Sequence, residues 1–301
     1  MSEGGGGSGG GRGSESRDGS ESRDRSESRD GNGVSDGNVS SGERNPNDGG
    51  TTPEISVVVC TLAPPESVDC LAVLDAQPFD DYEVILRDDA GLAEARNAGV
   101  AAARADKIVF LDDDSVPRED YLAAASAALD ENPVVAGRIF HPGDGVISNF
   151  CGGYDQGDER HSVETVDGSF RRGSTGVTGC NMAFRREVFE TVGGFDERFA
   201  WGHEESDFVR RAVRAGYRVL YDPEMAVTHW YADSIPGYWR KMAHFGPADL
   251  AYDRKWATPL GERVTETLLP VRLGPTPAAA AVATVGNLYR SVSYLKAMLR
   301  R

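Results

Sequence analysis

The chain has little of what would mark it for a membrane span, for export or for nucleic acid. Its least polar long stretch, Leu273 to Tyr289, is uncharged but carries Pro275, Pro277, Gly286 and Asn287, which argues against a transmembrane helix. Residues 1–30 contain no apolar core of a secretory signal. The four cysteines, Cys60, Cys70, Cys151 and Cys180, form no CxxC pair, so neither a zinc framework nor a thioredoxin-type motif is offered. Basic charge is in deficit: 32 Lys and Arg stand against 48 Asp and Glu, a net charge of −16 that excludes nucleic-acid binding by bulk attraction. The expectation is a cytoplasmic protein with free thiols, soluble or peripheral on the cytoplasmic face of the membrane.

Apolar residues are also missing from the first 50 positions. That segment holds 15 of the 36 glycines and, beyond Met1, only Val34 and Val39. Three copies of Ser-Glu-Ser-Arg-Asp begin at Ser14, Ser20 and Ser26. Such a segment cannot bury a core, so residues 1–52 are expected to be a disordered tail. The remaining 250 or so residues suit one large α/β domain with appendages. Most of the acidity lies there, which fits either a protein adapted to high salt or an ordinary acidic enzyme.

From Ile55 the texture changes. Ile55 to Cys60, Tyr82 to Arg87 and Lys107 to Leu111 are β-branched runs of buried-strand type. Helical stretches, Ser67 to Ala76 and Gly91 to Ala105, separate them. This alternation predicts a Rossmann-like, mostly parallel central sheet with flanking helices. Each run ends in a polar turn: Thr61, then Asp88-Asp89, then Asp112-Asp113-Asp114. Ligands bind beyond the carboxyl ends of such strands. Further on, Arg118 to Glu131, Arg185 to Val192, His203 to Ala215 and Pro236 to Trp256 read as helices. Val134 to Phe140 reads as a strand, and Arg218 to Tyr221 and Ala226 to His229 as two short ones.

Three successive aspartates repel one another unless a cation intervenes. In an extended segment Asp112 and Asp114 point the same way and can share one hard ion, Mg²⁺ or Mn²⁺. Such an ion would recruit a pyrophosphate to an otherwise acidic rim and stabilise its charge as a leaving group. A second acidic cluster, Glu204, Glu205 and Asp207, opens a helix behind Trp201-Gly202-His203. The run Phe110 to Val116, FLDDDSV, also fits the start of a haloacid-dehalogenase-type phosphohydrolase, and a non-catalytic nucleotide-sugar binder is a further alternative.

Taken in order, these motifs resemble family 2 glycosyltransferases, the inverting enzymes with the GT-A fold. The segments ISVVVCT, EVILRDDAG with AEARNAG, FLDDDSVP, GCNMAFRREVFETVGGFDERF and WGHEESDFVRRAVRAGYRV carry the similarity from about Ile55 to about His229. The resemblance implies a glycosyltransferase domain over residues 53–232. Asp112, Asp114 and His229 would hold the metal, and Thr61, Asp88, Arg96 and Asp113 would serve the nucleotide. Gly179, Asn181, Trp201 and Asp207 would border the sugar or acceptor. Glu205 would be the general base, with Glu204 the fallback. The implied reaction is a single displacement from a nucleoside-diphosphate sugar to an acceptor hydroxyl, or to a lipid-linked phosphate or glycan.

Residues 233–301 are expected to form a helical extension. Tyr238 to Trp256 interleaves aromatic and basic residues, and Leu288 to Arg301 ends in a cationic stretch on an acidic protein. Two readings suit it: a surface helix facing anionic lipid headgroups, and an amphipathic helix packed on the domain.

Overall fold

A computed structural model describes the backbone of Glu43–Arg44 and residues 51–142, 145–147, 155–163, 176–199 and 201–300. The serine-rich repeats and Cys151 lie outside these residues. The elements run β1 (Glu43–Arg44), β2 (Ile55–Cys60), α1 (Asp69–Leu74), β3 (Tyr82–Arg87), α2 (Leu92–Ala102), β4 (Lys107–Asp112), β5 (Val116–Pro117), α3 (Tyr121–Glu131) and β6 (Val134–Phe140). They continue with β7 (His161–Val163), β8 (Asn181–Arg185), α4 (Arg186–Val192), α5 (Glu204–Arg214), β9 (Val219–Thr228), α6 (Ile235–Trp256), α7 (Leu260–Arg263) and α8 (Pro277–Leu299).

The strands form one mixed sheet in the order β1-β3-β2-β4-β8-β6-β9-β5, with β7 also paired to β9. Strands β3, β2 and β4 are parallel, as the alternating pattern requires. Their cores are buried on both faces. On one face α2 lies so close to β2 that a Cβ on Gly99 would sit 2.3 Å from Val58 Cγ1, which explains the run of small residues in that helix. On the same face of β4 and β8, Phe110, Phe184, Phe189, Phe195 and Phe208 pack with centroids 4.6 to 6.5 Å apart.

The fold departs from the expected elements in three ways. Asn181 to Arg185, for which no strand was expected, is a buried strand antiparallel to both β4 and β6. The two short strands expected at residues 218–221 and 226–229 are one strand, β9, whose register against β6 jumps between Gly137 and Arg138. The jump changes β9's second partner from β7, at Val219 to Tyr221, to β5, at Val227 and Thr228. Finally, Glu43–Arg44, placed in the tail by composition, pairs with β3 at the sheet edge, because backbone pairing needs no apolar side chains.

Helices α6 and α8 pack together through small residues. A Cβ on Gly246 would meet Tyr294 N at 2.5 Å, and one on Gly286 would meet Tyr238 Cε1 at 2.5 Å. Pro247 falls inside α6. No helix among the described residues is long and apolar enough to cross a membrane.

Candidate active site

Strand register builds one side of the site. Cys60 pairs with both Arg87 and Asp112, so the next residues, Thr61, Asp88 and Asp113, form a row along the carboxyl edge of three adjacent parallel strands. The Thr61 hydroxyl donates to Asp113 Oδ2 at 2.6 Å and accepts from Ala63 N at 2.9 Å. Asp88 is exposed, while its neighbour Asp89 accepts a bidentate pair from Arg87 at 2.8 and 2.9 Å. This row stands on the rim, outside the main cavity.

The cavity, about 680 Å³, begins at Asp112 and His229 and runs past Arg96, Gly179, Glu204 and Glu205. His229, just beyond the end of β9, places Nε2 3.3 Å from Asp114 Oδ1 and 3.9 Å from Asp112 Oδ2. Burial raises the Asp112 pKa. Burial acts in the same direction on Asp114, but the hydrogen bond from His229 and the charge of that ring hold Asp114 below its ordinary value. Two carboxylates and an imidazole therefore converge, a donor set suited to Mn²⁺ or Mg²⁺. Cys180, which sequence reasoning did not single out, also approaches: ligand atoms of Asp112, Cys180 and His229 lie within 4.8 Å of one another. Burial drives that thiol's pKa well above its usual value, so it stays protonated and is a poor ligand for a hard ion.

Arg96 is 2% exposed and lines the cavity, away from the row of Thr61, Asp88 and Asp113. Its Nη1 donates to Glu204 Oε1, its Nη2 lies 3.5 Å from Asp112 Oδ1, and Phe195 lies beneath it at 5.9 Å. Its neighbour Asn97 faces the other way and fixes the Gly193-Gly194-Phe195 turn through Phe195 N and O, at 2.7 and 2.9 Å. Gly179 leaves room for this guanidinium, since an added Cβ would sit 2.3 Å from Arg96 Nη2. Gly179→Ala is therefore expected to displace the guanidinium, cost about 1–3 kcal/mol of stability and depress turnover. Chemical denaturation and a transfer assay would check both effects.

The turn before α5 is strained. Gly202 and His203 both have positive φ, 79° and 69°, and for histidine that conformation costs energy. His203 Nε2 lies 2.8 Å from Asp249 Oδ1, and Arg290 donates to both oxygens of the same carboxylate at 2.5 Å. Burial alone would raise the Asp249 pKa, but Arg290 and then His203 hold it well below the ordinary range. The turn before α5 is thus braced by α6 and α8. Of the two glutamates that follow, Glu204 is 2% exposed and committed to Arg96, with Oε2 buried and unpartnered. Glu205 is half-buried on the cavity wall, where burial, then the Glu204 carboxylate, push its pKa well above the ordinary carboxylate range.

Two expected sugar contacts are structural instead. Asn181 is fully buried: its Oδ1 accepts from Tyr121 at 2.9 Å, and its Nδ2 donates to Arg138 O and Met225 O at 2.8 and 2.9 Å, which fills the register break of β9. Asp207, also fully buried, binds Arg211, Lys255 and Trp256 at 2.9, 2.6 and 3.0 Å and ties α5 to the end of α6. Trp201 does line the cavity, 39% exposed, with its ring 4.7 Å from Phe245. Tyr238, Lys241, Phe245, Arg272, Asn287 and Arg290, from the C-terminal extension, also line it. None of these six was a sequence candidate, because the motifs ended before them.

Comparison with known proteins identifies the family. Residues 72–193 match the sequence profile of glycosyl transferase family 2, and residues 160–231 match that described as the N-terminal domain of galactosyltransferase. Residues 72–193 thus form a glycosyl transferase family 2 domain. This family 2 chain is 25% identical over 154 residues to the dTDP-rhamnosyl transferase RfbF of Shigella flexneri, covering 50% of this chain and 52% of that protein. It is 29% identical over 160 residues to the pre-mycofactocin glycosyltransferase of Mycobacterium tuberculosis, covering 52% and 33%. To the glucosyl-dolichyl phosphate glucuronosyltransferase of Haloferax volcanii it is 23% identical over 176 residues, covering 52% and 53%. The chain thus spans about half the length, or less, of these relatives. Its GT-A fold is shared with the mannosyltransferase PcManGT of Pyrobaculum calidifontis, solved with GDP-Man and Mn²⁺, at a TM-score of 0.51 and 16% identity over 88% of this chain and 90% of that one. Membership of family 2 sets aside the phosphohydrolase reading of FLDDDSV, a run that here ends the third parallel strand instead of opening the domain.

Proposed function

We propose that this family 2 enzyme is an inverting, metal-dependent glycosyltransferase that moves a sugar from a nucleoside-diphosphate donor to an acceptor hydroxyl or a lipid-linked phosphate or glycan. One observation carries the reading: Asp112, Asp114 and His229 converge at one end of a cavity whose wall also presents the high-pKa Glu205. Asp112, Asp114 and His229 hold Mn²⁺ or Mg²⁺, which supplies charge stabilisation to the departing diphosphate. Thr61, Asp88 and Asp113 line the rim available to the nucleoside. Arg96 keeps the metal carboxylate and the base-bearing turn in fixed relation, and Glu205 removes the acceptor proton. The dTDP named for one relative and the dolichyl phosphate named for another support the donor and acceptor classes. The test is a panel of nucleoside diphosphates with and without Mn²⁺, read by thermal shift. One base should raise the melting temperature in a metal-dependent way, and indifference to every member would count against the reading.

An association with lipid surfaces fits the same enzyme. Eleven of the fourteen exposed large apolar side chains among the described residues lie between Leu260 and Leu299. From Arg254 to the end of the chain, eight Lys and Arg accompany only Glu262 and Glu266. Apolar area and local positive charge together attract anionic bilayers. Vesicles containing anionic phospholipid should co-sediment the protein at low salt, and Leu288→Glu with Leu295→Glu should abolish this without altering metal-dependent nucleotide binding.

A further inference from the structure

Helix α5 starts without a local signal. Its N-cap residue, His203, lies in the left-handed region and makes no side-chain hydrogen bond to the first turn, where Ser, Thr, Asp or Asn in extended backbone is usual. Gly202 before it also has positive φ, and a histidine keeps such a conformation only where its surroundings over-determine it. One face of α6 supplies those surroundings. Phe245, Asp249, Tyr252 and Trp256 recur every three or four residues and so share that face. The Phe245 ring lies 4.7 Å from Trp201 and 5.8 Å from His203, and its Cε1 would sit 3.2 Å from a Cβ on Gly202. The Tyr252 ring lies 5.4 Å from His203, and Trp256 Nε1 donates to Asp207 at 3.0 Å.

Asp249 is the polar member of this face and is fully buried. Both of its oxygens accept from Arg290 of α8, at 2.5 Å each. The ionised carboxylate can only accept, so His203 Nε2 donates to Oδ1, at 2.8 Å. The side chain that would cap its own helix is thus committed to another one, and tertiary contact fixes where α5 begins. That beginning leads directly into the carboxylate end of the cavity. Glu204, the next residue, accepts from Arg96, whose Nη2 lies 3.5 Å from Asp112 Oδ1, and Glu205 follows on the cavity wall. Arg290, Asp249, His203, Glu204, Arg96 and Asp112 therefore form one unbroken path, with a single peptide bond joining its two halves.

We propose that Asp249 is a positioning residue for sugar transfer: it holds His203 in the left-handed conformation and so fixes the reach of Glu205 into the cavity. This rests on the reading of Glu205 as general base given above. Asp249 itself does not line the cavity, so its effect on the reaction runs through the turn. The strained backbone at His203 is what makes the contact necessary. Without the carboxylate the histidine relaxes toward negative φ, and the first turn of α5 moves with it. Glycine in place of His203 would keep positive φ at no steric cost and would need no such hold.

The test uses the full chain with Mn²⁺ and two readouts. Hydrolysis of UDP-glucose, GDP-mannose and dTDP-rhamnose gives kcat and KM for whichever donor the unaltered chain turns over fastest, and hydrogen exchange follows the amides of residues 204–208. Asp249→Asn should lower kcat by roughly thirtyfold or more while donor KM stays within about threefold. Exchange at residues 204–208 should quicken by roughly tenfold or more, with β2 and β4 unchanged. Arg290→Gln should shift both readouts in the same direction, which keeps the test decisive if Asp249→Asn fails to fold. Adding His203→Gly to Asp249→Asn should recover about fivefold or more in kcat, which a loss of bulk stability would not allow. In a Glu205→Gln chain, Asp249→Asn should cause no further loss of kcat. Unchanged kcat and exchange in both single variants, no recovery with His203→Gly, or an equal loss in the Glu205→Gln chain overturns the proposal. Full activity of Glu205→Gln, or no hydrolysis of any donor, overturns the base or donor reading instead. Exchange, with its recovery by His203→Gly, then still tests whether Asp249 holds the turn.

Discussion

Asp112→Ala and Asp114→Ala should each reduce sugar transfer by at least about a thousandfold, because several kcal/mol of transition-state charge stabilisation is lost with the ion. The two should differ in detail. Asp112 also faces Arg96, at 3.5 Å, so its removal leaves that buried guanidinium with Glu204 alone. Asp114 faces His229, whose Nε2 lies 3.3 Å away, and makes no ion pair with Arg96. Asp114→Ala should therefore keep near-normal stability and lose metal-dependent nucleotide binding, whereas Asp112→Ala should also unfold at lower denaturant. Transfer that persists in both variants would remove the metal assignment.

Glu205→Gln should lower kcat by about a hundredfold to ten-thousandfold, the range of a general base, while leaving the donor KM within a fewfold. The pH profile carries the same information. A base works only when deprotonated, and burial with the Glu204 carboxylate raises the Glu205 pKa, so kcat should fall as pH drops through a range above that of ordinary carboxylates. This acid limb should vanish in Glu205→Gln. Glu204→Gln should behave differently, because it weakens a buried pair with Arg96 and leaves the guanidinium undercompensated. Removing a partner from such a pair costs about 3–5 kcal/mol, so a loss of stability should accompany any loss of rate. Loss of the acid limb in Glu204→Gln alone would move the base by one residue.

Much of this site could be read from sequence where the signal was local. Buried β-branched runs placed β2, β3 and β4, and the polar residue after each run fell on the common edge because parallel register aligns Cys60 with Arg87 and Asp112. Asn181 and Asp207 misled for the opposite reason. A polar residue inside a functional motif looks like a ligand contact, and only the folded chain shows that one fills a strand irregularity and the other anchors two helices. The register break in β9 was illegible because the requirement for it comes from β5 and β7, far away in sequence. Lys241, Arg272 and Arg290 were legible as charge but not as position. The placement of Lys241 and Arg290 depends on helix packing that glycines at 246 and 286 permit, a contact between segments 44 to 48 residues apart.

The proposed reaction requires an ion held between Asp112, Asp114 and His229. Anomalous diffraction at the manganese edge, from crystals soaked in Mn²⁺ and the stabilising nucleoside diphosphate, addresses that directly. A single strong peak within bonding distance of Asp112, Asp114 and His229, in contact with diphosphate oxygens, is the expected result. Bound nucleotide with no peak there, or with manganese elsewhere in the cavity, would contradict it.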